Sequence, residues 1–186
     1  SDMEKHWAKS TVEKMSLLGI IKGYDDHTFK PNKPVTQAEA VVMSIRLLNI
    51  EERVDDYLEV DLPFRNANSI PDWAKGHIAL ALEEGIIQDT HVFQANKAAS
   101  RLYVMMLLVN AIGAEFDYDW QQAETHFKDV DDLDDKERVY LAYATLTEIV
   151  NGYEDGTFRP NKPVTRAEMA ALVNRVKEKI KEDKEI

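Results

Sequence analysis

Residues 23–39 read GYDDHTFKPNKPVTQAE, and residues 152–168 read GYEDGTFRPNKPVTRAE. The two segments lie 129 residues apart and are identical at 13 of 17 positions. Such a repeat constrains the fold more than any single motif, because its units must fold alike and bury their apolar faces against one another. A third, weaker copy lies between them. Trp73-Ala74-Lys75 matches Trp7-Ala8-Lys9, and Glu84-Gly85-Ile86-Ile87 matches Leu18-Gly19-Ile20-Ile21. Phe93, Asn96, Lys97 and Ser100 then match Phe29, Asn32, Lys33 and Thr36 after a two-residue deletion, with Ala95 and Ala98 in place of Pro31 and Pro34. The copies also open alike, with Phe127-Lys128-Asp129-Val130, Phe64-Arg65-Asn66-Ala67 and Ser1-Asp2-Met3.

Each copy predicts helix, loop, helix. Apolar stripes mark the first helix: Ala8, Val12 and Met15, then Ala74, Ile78, Ala81 and Leu82, then Val139, Tyr143, Leu146 and Val150. Gly19 and Gly85 supply left-handed stops, whereas Glu148 stands at that point in the third copy. Paired Asp, Gly and two prolines make residues 23–34 a loop, anchored by Tyr24 and Phe29. Thr36-x-x-Glu39 and Thr165-x-x-Glu168 are capping boxes that open the second helix. Leu102 to Ile112 is apolar on nearly every side, so the middle helix is expected to be the most buried of the three. The copies span residues 1–50, 64–113 and 127–181, with acidic connectors at 51–63 and 114–126 and a charged, helix-extending end.

Composition removes several functions. The net charge of −11 repels nucleic-acid backbones. The absence of cysteine excludes disulfides, thiolate metal sites and Cys nucleophiles. The apolar run at 102–112 is too short to span a bilayer, and Ser1 to Trp7 carries no secretory signal pattern. Residues 129–135 resemble a calcium loop, but Asp134 stands where Gly is needed and Tyr140 where Glu is needed. The five histidines are not at metal-binding spacing. No nucleophile elbow, phosphate-cradling loop or dinucleotide fingerprint occurs. No metal or cofactor is expected, and no catalytic residues.

The order Phe-x-Asp-Val, a helix with Trp-Ala, then Gly-Tyr-x-Asp-Gly-Thr-Phe-x-Pro and Thr-Arg-Ala-Glu resembles the S-layer homology family. That resemblance implies an all-α, pseudo-threefold, three-pronged spindle around a central three-helix bundle, with ligand grooves between adjacent copies. It implies non-covalent, non-catalytic anchoring of a surface protein to the bacterial cell wall, through a secondary cell-wall polysaccharide bearing pyruvylated sugars. The module is then extracellular and monomeric. The other reading is a surface protein-interaction scaffold whose degenerate copies have lost glycan binding.

The Arg of the Thr-Arg-Ala-Glu motif is tied to the ligand by the same resemblance. Arg166 and Arg101 are therefore candidate carboxylate contacts, at helix starts where free amides and the helix dipole add positive potential. Gln37 takes this place in the first copy without charge. Asp2 and Asp129 are turn or cap residues, or else contacts to sugar hydroxyls. Trp7 and Trp73 either stack on sugar or, more commonly for such aromatics, pack into the core. Gly23 and Gly152 open the loop turn and complete the candidate set. Ranked by copy, the third keeps cap, loop and Arg, the first keeps the loop, and the second keeps Arg101 on a damaged frame.

Overall fold

The computed structural model describes residues 2–116, 119 and 124–184. Its α-helices are α1 (Lys9–Leu17), α2 (Gln37–Leu47), α3 (Asp72–Glu83), α4 (Arg101–Ala111), α5 (Asp135–Leu146) and α6 (Arg166–Lys184). Two 3-10 turns, Glu51–Tyr57 and Ala67–Ser69, occupy the first connector and the start of the second copy. The described residues are thus all-helical, joined by loops and isolated bridges. Trp120, in the second connector, lies outside them.

Local chemistry sets the helix limits. Thr36 accepts from Glu39 N–H while Glu39 accepts from Thr36 N–H, closing the predicted capping box. Thr165 and Glu168 do the same for α6. Ser100 keeps half of the device by accepting from Tyr103 N–H. Asp134 and Glu137 add a capping box on α5. Each such cap stabilises its helix by about 1 kcal/mol. After the first helix of each copy, Gly19, Gly85 and Glu148 all take left-handed backbone, with φ of 71°, 68° and 60°. Glu148 bears the steric cost that glycine avoids, so Glu148→Gly is expected to raise stability by about 1 kcal/mol in chemical denaturation.

A ring of hydrogen bonds joins the three loops. Val35 N–H donates to Val164 C=O, Val164 N–H to Ala99 C=O, and Ala99 N–H to Val35 C=O, each at 2.9 Å. Equivalent residues therefore close on one another around a pseudo-threefold axis. The bridges Pro34–Thr165, Thr36–Ala98 and Ser100–Pro163 repeat the same order. Proline loss in the second copy leaves this frame intact, because what the neighbouring helix uses at that position is a carbonyl. Pro31, Ala95 and Pro160 C=O accept equally, from Ala167, Ala38 and Leu102 N–H.

The prongs are built across copies. Helix α3 packs on α2, α5 on α4, and α1 closes the circle on α6. An ion pair from Lys14 to Glu178 at 2.6 Å clasps that last junction. Helices α2, α4 and α6 form the centre, with α2 touching both others. This corrects the expectation for the middle helix. Eight of the 11 residues of α2 are buried, against six of the 11 of α4. Each of α2 and α4 carries a prong helix, but α2 also touches both other central helices, whereas Leu102, Tyr103 and Met106 of α4 are only partly covered. The third-copy stripe is corrected too. Leu146 is 63% exposed, and α5 buries Tyr140, Leu141, Ala142 and Ala144. Leu141 and Ala144 are the true counterparts of Val12 and Met15, 129 residues on.

Candidate functional site

The cross-copy frame brings each second helix onto the loop of the next copy. Arg166 N–H donates to Lys33 C=O, Arg101 N–H to Lys162 C=O, and Gln37 N–H to Lys97 C=O, at 2.8–2.9 Å. Three junctions follow, each with one side from one copy and one from the next, and these are the candidate grooves.

In the first groove, Arg166 of α6 lies under the loop of the first copy. Its Nε donates to Phe29 C=O at 2.8 Å and its Nη2 to Lys22 C=O at 2.6 Å. The guanidinium carbon lies 4.7 Å from the Tyr24 ring centre and 4.6 Å from that of Phe29. Lys30 Nζ stands 4.3 Å from the Tyr24 ring centre, and Lys33 Nζ donates to the Tyr24 hydroxyl at 2.9 Å. That hydrogen bond raises the Lys33 pKa. In the second groove, Arg101 meets the third-copy loop in the same way. Nε donates to Phe158 C=O at 2.8 Å and Nη2 to Asn151 C=O at 2.9 Å. Tyr153 is ringed by Arg101, Arg159 and Lys162, at 4.8, 3.8 and 5.7 Å from its centre. Burial lowers the Arg101 pKa from its ordinary value. Each of these grooves thus holds an aromatic ring overlain by three cations.

The third groove, where Gln37 faces the second-copy loop, keeps Lys97 but lacks both the ring and the arginine. No tyrosine occurs in that loop. Phe93 C=O, which would meet an arginine, accepts from Asn66 Nδ2 at 2.8 Å. Both defects of the repeat therefore fall in one groove. Arg101 belongs with the well-kept third loop, so its own damaged copy is no handicap to it.

The predicted set is corrected in detail. The first-turn amides of α6 are not free: Arg166 and Ala167 N–H are taken by Lys33 and Pro31 C=O, and Glu168 N–H by Thr165 Oγ1. The Nε/Nη2 edge of each arginine, expected to grip a carboxylate, holds backbone carbonyls instead. Arg166 is only 4% exposed. Asp2 and Asp129 are not helix caps but long-range clamps. Asp2 accepts from Phe29 and Lys30 N–H, and Asp129 from Phe158 and Arg159 N–H. They hold Lys30 and Arg159 in left-handed backbone, φ 56° and 59°.

Trp7 and Trp73 are not core residues, at 68% and 56% exposed. Ala8, which caps α1, and Ala74 of α3, the next residues along, are buried, while the indoles face outward. Trp7 flanks the first loop through His6, whose ring lies 5.5 Å from the indole and whose Nε2 is 3.4 Å from Asn32 Oδ1. Gly152 makes room for Phe127, which a Cβ would strike, and a Cβ on Gly23 would lie 3.2 Å from Thr28 C=O. Sequence reasoning did not single out Tyr24, Tyr153, Lys30, Lys33, Arg159 and Lys162, which the structure groups around the two arginines, as candidate site residues. Their signal was their recurrence in the two strong copies, overlooked because Tyr24 was assigned to the core.

Acid should dismantle these loops. Backbone N–H groups of Phe29 and Lys30 lower the Asp2 pKa. Bonds from Thr28 take Asp26, and bonds from Thr157 and Arg159 take Asp155, from 3.8 to about 2. Because these folded-state values are depressed, the carboxylates stabilise the fold above about pH 4 and lose that contribution as pH falls toward about 2. A plot of Tm against pH is expected to be flat near neutrality and to drop in that window.

Comparison with known proteins follows the same lines. The family model described as S-layer homology domain matches residues 1–41 and 126–170, which take in most of the first and third copies. The chain is 31% identical over 181 residues to an amylopullulanase of Thermoanaerobacterium thermosulfurigenes, covering 96% of this chain and 9% of that protein. It is 29% identical over 181 residues to exoglucanase XynX of Acetivibrio thermocellus, covering 96% and 16%. It is 28% identical over 170 residues to S-layer protein sap of Bacillus anthracis, covering 90% and 20%. The chain therefore spans a fifth or less of the length of these relatives.

Proposed function

This chain is a member of the S-layer homology family, whose modules attach proteins at the cell surface, and we propose that it does so by binding an anionic secondary cell-wall polysaccharide, pyruvylated on its amino sugars. Binding takes place in the Tyr24–Arg166 and Tyr153–Arg101 grooves, without catalysis, by a monomeric module. The observation that carries this reading is the pair of tyrosine rings, each overlain by three cations, on a chain of net charge −11. Concentrated positive charge on an acidic protein favours an anion.

In this reading the arginines shape the groove and raise its potential, while the more exposed ammonium groups meet the carboxylate. Asp2 and Asp129 hold the loops in place, Gly23 and Gly152 let them turn, and the outward indoles of Trp7 and Trp73 offer stacking faces. Gln37 contributes no charge. The two grooves are unequal. Lys162 is tied to Glu168 at 2.9 Å, whereas Lys33 bonds only the neutral Tyr24 hydroxyl. The Arg166 groove therefore holds more uncompensated positive charge and binds more tightly.

Sedimentation with purified cell wall, before and after chemical removal of its polysaccharide, tests this. Binding is expected to vanish after removal. Lys33→Ala is expected to weaken it roughly ten-fold, the worth of one charge-assisted hydrogen bond, and Lys162→Ala by less. Wall binding that survives removal, or ignores both lysines, would contradict the proposal.

A further inference from the structure

The second copy, which has no cation-overlain ring, has a cleft of its own. The 3-10 turn Glu51–Tyr57 and the chain after it lie against α3. Gly76 permits this approach: a Cβ there would fall 2.8 Å from Val54 Cγ1 and 3.1 Å from Leu58 Cδ2. The equivalent positions in the other copies are Ser10 and Val139. Beside this contact opens a cavity of about 440 Å³. Leu62, Ala79 and Leu82 line it, with Val60 exposed at its edge. Its polar lining is Asp61, Glu83 and Asp89, three exposed carboxylates with no lysine or arginine among the lining residues.

We propose that this cleft docks a basic polypeptide segment, one that places an aliphatic side chain in the cavity between lysines or arginines. The volume suits a few side chains. The floor is aliphatic, with Tyr57 its only ring, which favours a leucine-like side chain over a stacked sugar. Three carboxylates lining one cleft, with Arg53 and Lys136 engaged by Glu84 and Gln88 beside it, repel the anionic glycan and attract cations, so this surface works independently of the glycan grooves. A repeat that has lost its glycan loop would thereby serve as a protein contact.

The test uses the whole chain and a fluorescein-labelled heptapeptide of alternating lysine and leucine, followed by anisotropy and by amide NMR. Saturable binding is expected, with shifts at residues 57–62, 79–83 and 89, and none with the glutamate–leucine counterpart. Asp61→Lys/Glu83→Lys/Asp89→Lys should weaken binding at least ten-fold. Glu4→Lys/Asp25→Lys/Glu154→Lys, which changes net charge equally, should weaken it less than about two-fold, since distant exposed charges are screened. Val60→Ser, which keeps every charge, should weaken it about three-fold. Equal losses in the two charge variants, absence of saturation, or displacement of the peptide by uncharged maltohexaose would overturn the proposal. Circular dichroism of each variant confirms that it is folded.

Discussion

Arg166→Ala is expected to lower the unfolding free energy by about 2–4 kcal/mol, with loss of wall binding following from the collapsed groove. The side chain is buried and bridges two backbone carbonyls of another copy, Phe29 and Lys22, 137 and 144 residues away. Alanine would leave both acceptors unpaired and open a void between Tyr24 and Phe29. Lysine would keep the charge but, as a single point donor, could not span both carbonyls, so Arg166→Lys should rescue only in part. Arg101→Ala should cost less, because its Nη2 bond is at the surface and water can replace it. Urea denaturation beside wall sedimentation separates the roles. Unchanged stability with lost binding would mean that Arg166 is a direct ligand contact, as the motif alone suggests.

The fragment 64–186, which retains two complete sequence copies, is expected to show no cooperative unfolding transition. Helix α3 would lose α2, α6 would lose α1, and the ring through Val35, Ala99 and Val164 would be open. The apolar faces of α3 and α6 that α2 and α1 cover would meet water, at a cost of about 25 cal/mol per Å² exposed, against a total domain stability of only about 5–15 kcal/mol. A fragment with a sharp melt and native-like near-ultraviolet dichroism would show that the copies are self-sufficient and that the closure of α1 on α6 is dispensable.

Much of the local structure was legible because its causes are local. Capping boxes at Thr36 and Thr165 need only a hydroxyl and a carboxylate three residues apart. Left-handed stops at Gly19 and Gly85 need only the residue itself. The third-copy stripe was misread because Leu146 and Val139 fit a helical period as well as Leu141 does, and only the fixed offset of 129 residues, or the packing, distinguishes them. The indoles of Trp7 and Trp73 were misplaced because amphipathic side chains serve both surfaces and cores.

The repeat by itself determined the unit, the helices, the loop and the threefold plan, since identical segments under identical local forces fold alike. It could not determine which copy's arginine meets which copy's loop. A threefold ring is closed equally well by own-copy or next-copy contacts, and sequence counts both the same. The tertiary structure chose the next copy. That choice put Gln37 and the eroded second loop in a single groove and left Arg101 and Arg166 facing whole ones. It also committed the helix-start amides and guanidinium edges to backbone carbonyls, and for the buried Arg166 no water is left to take their place.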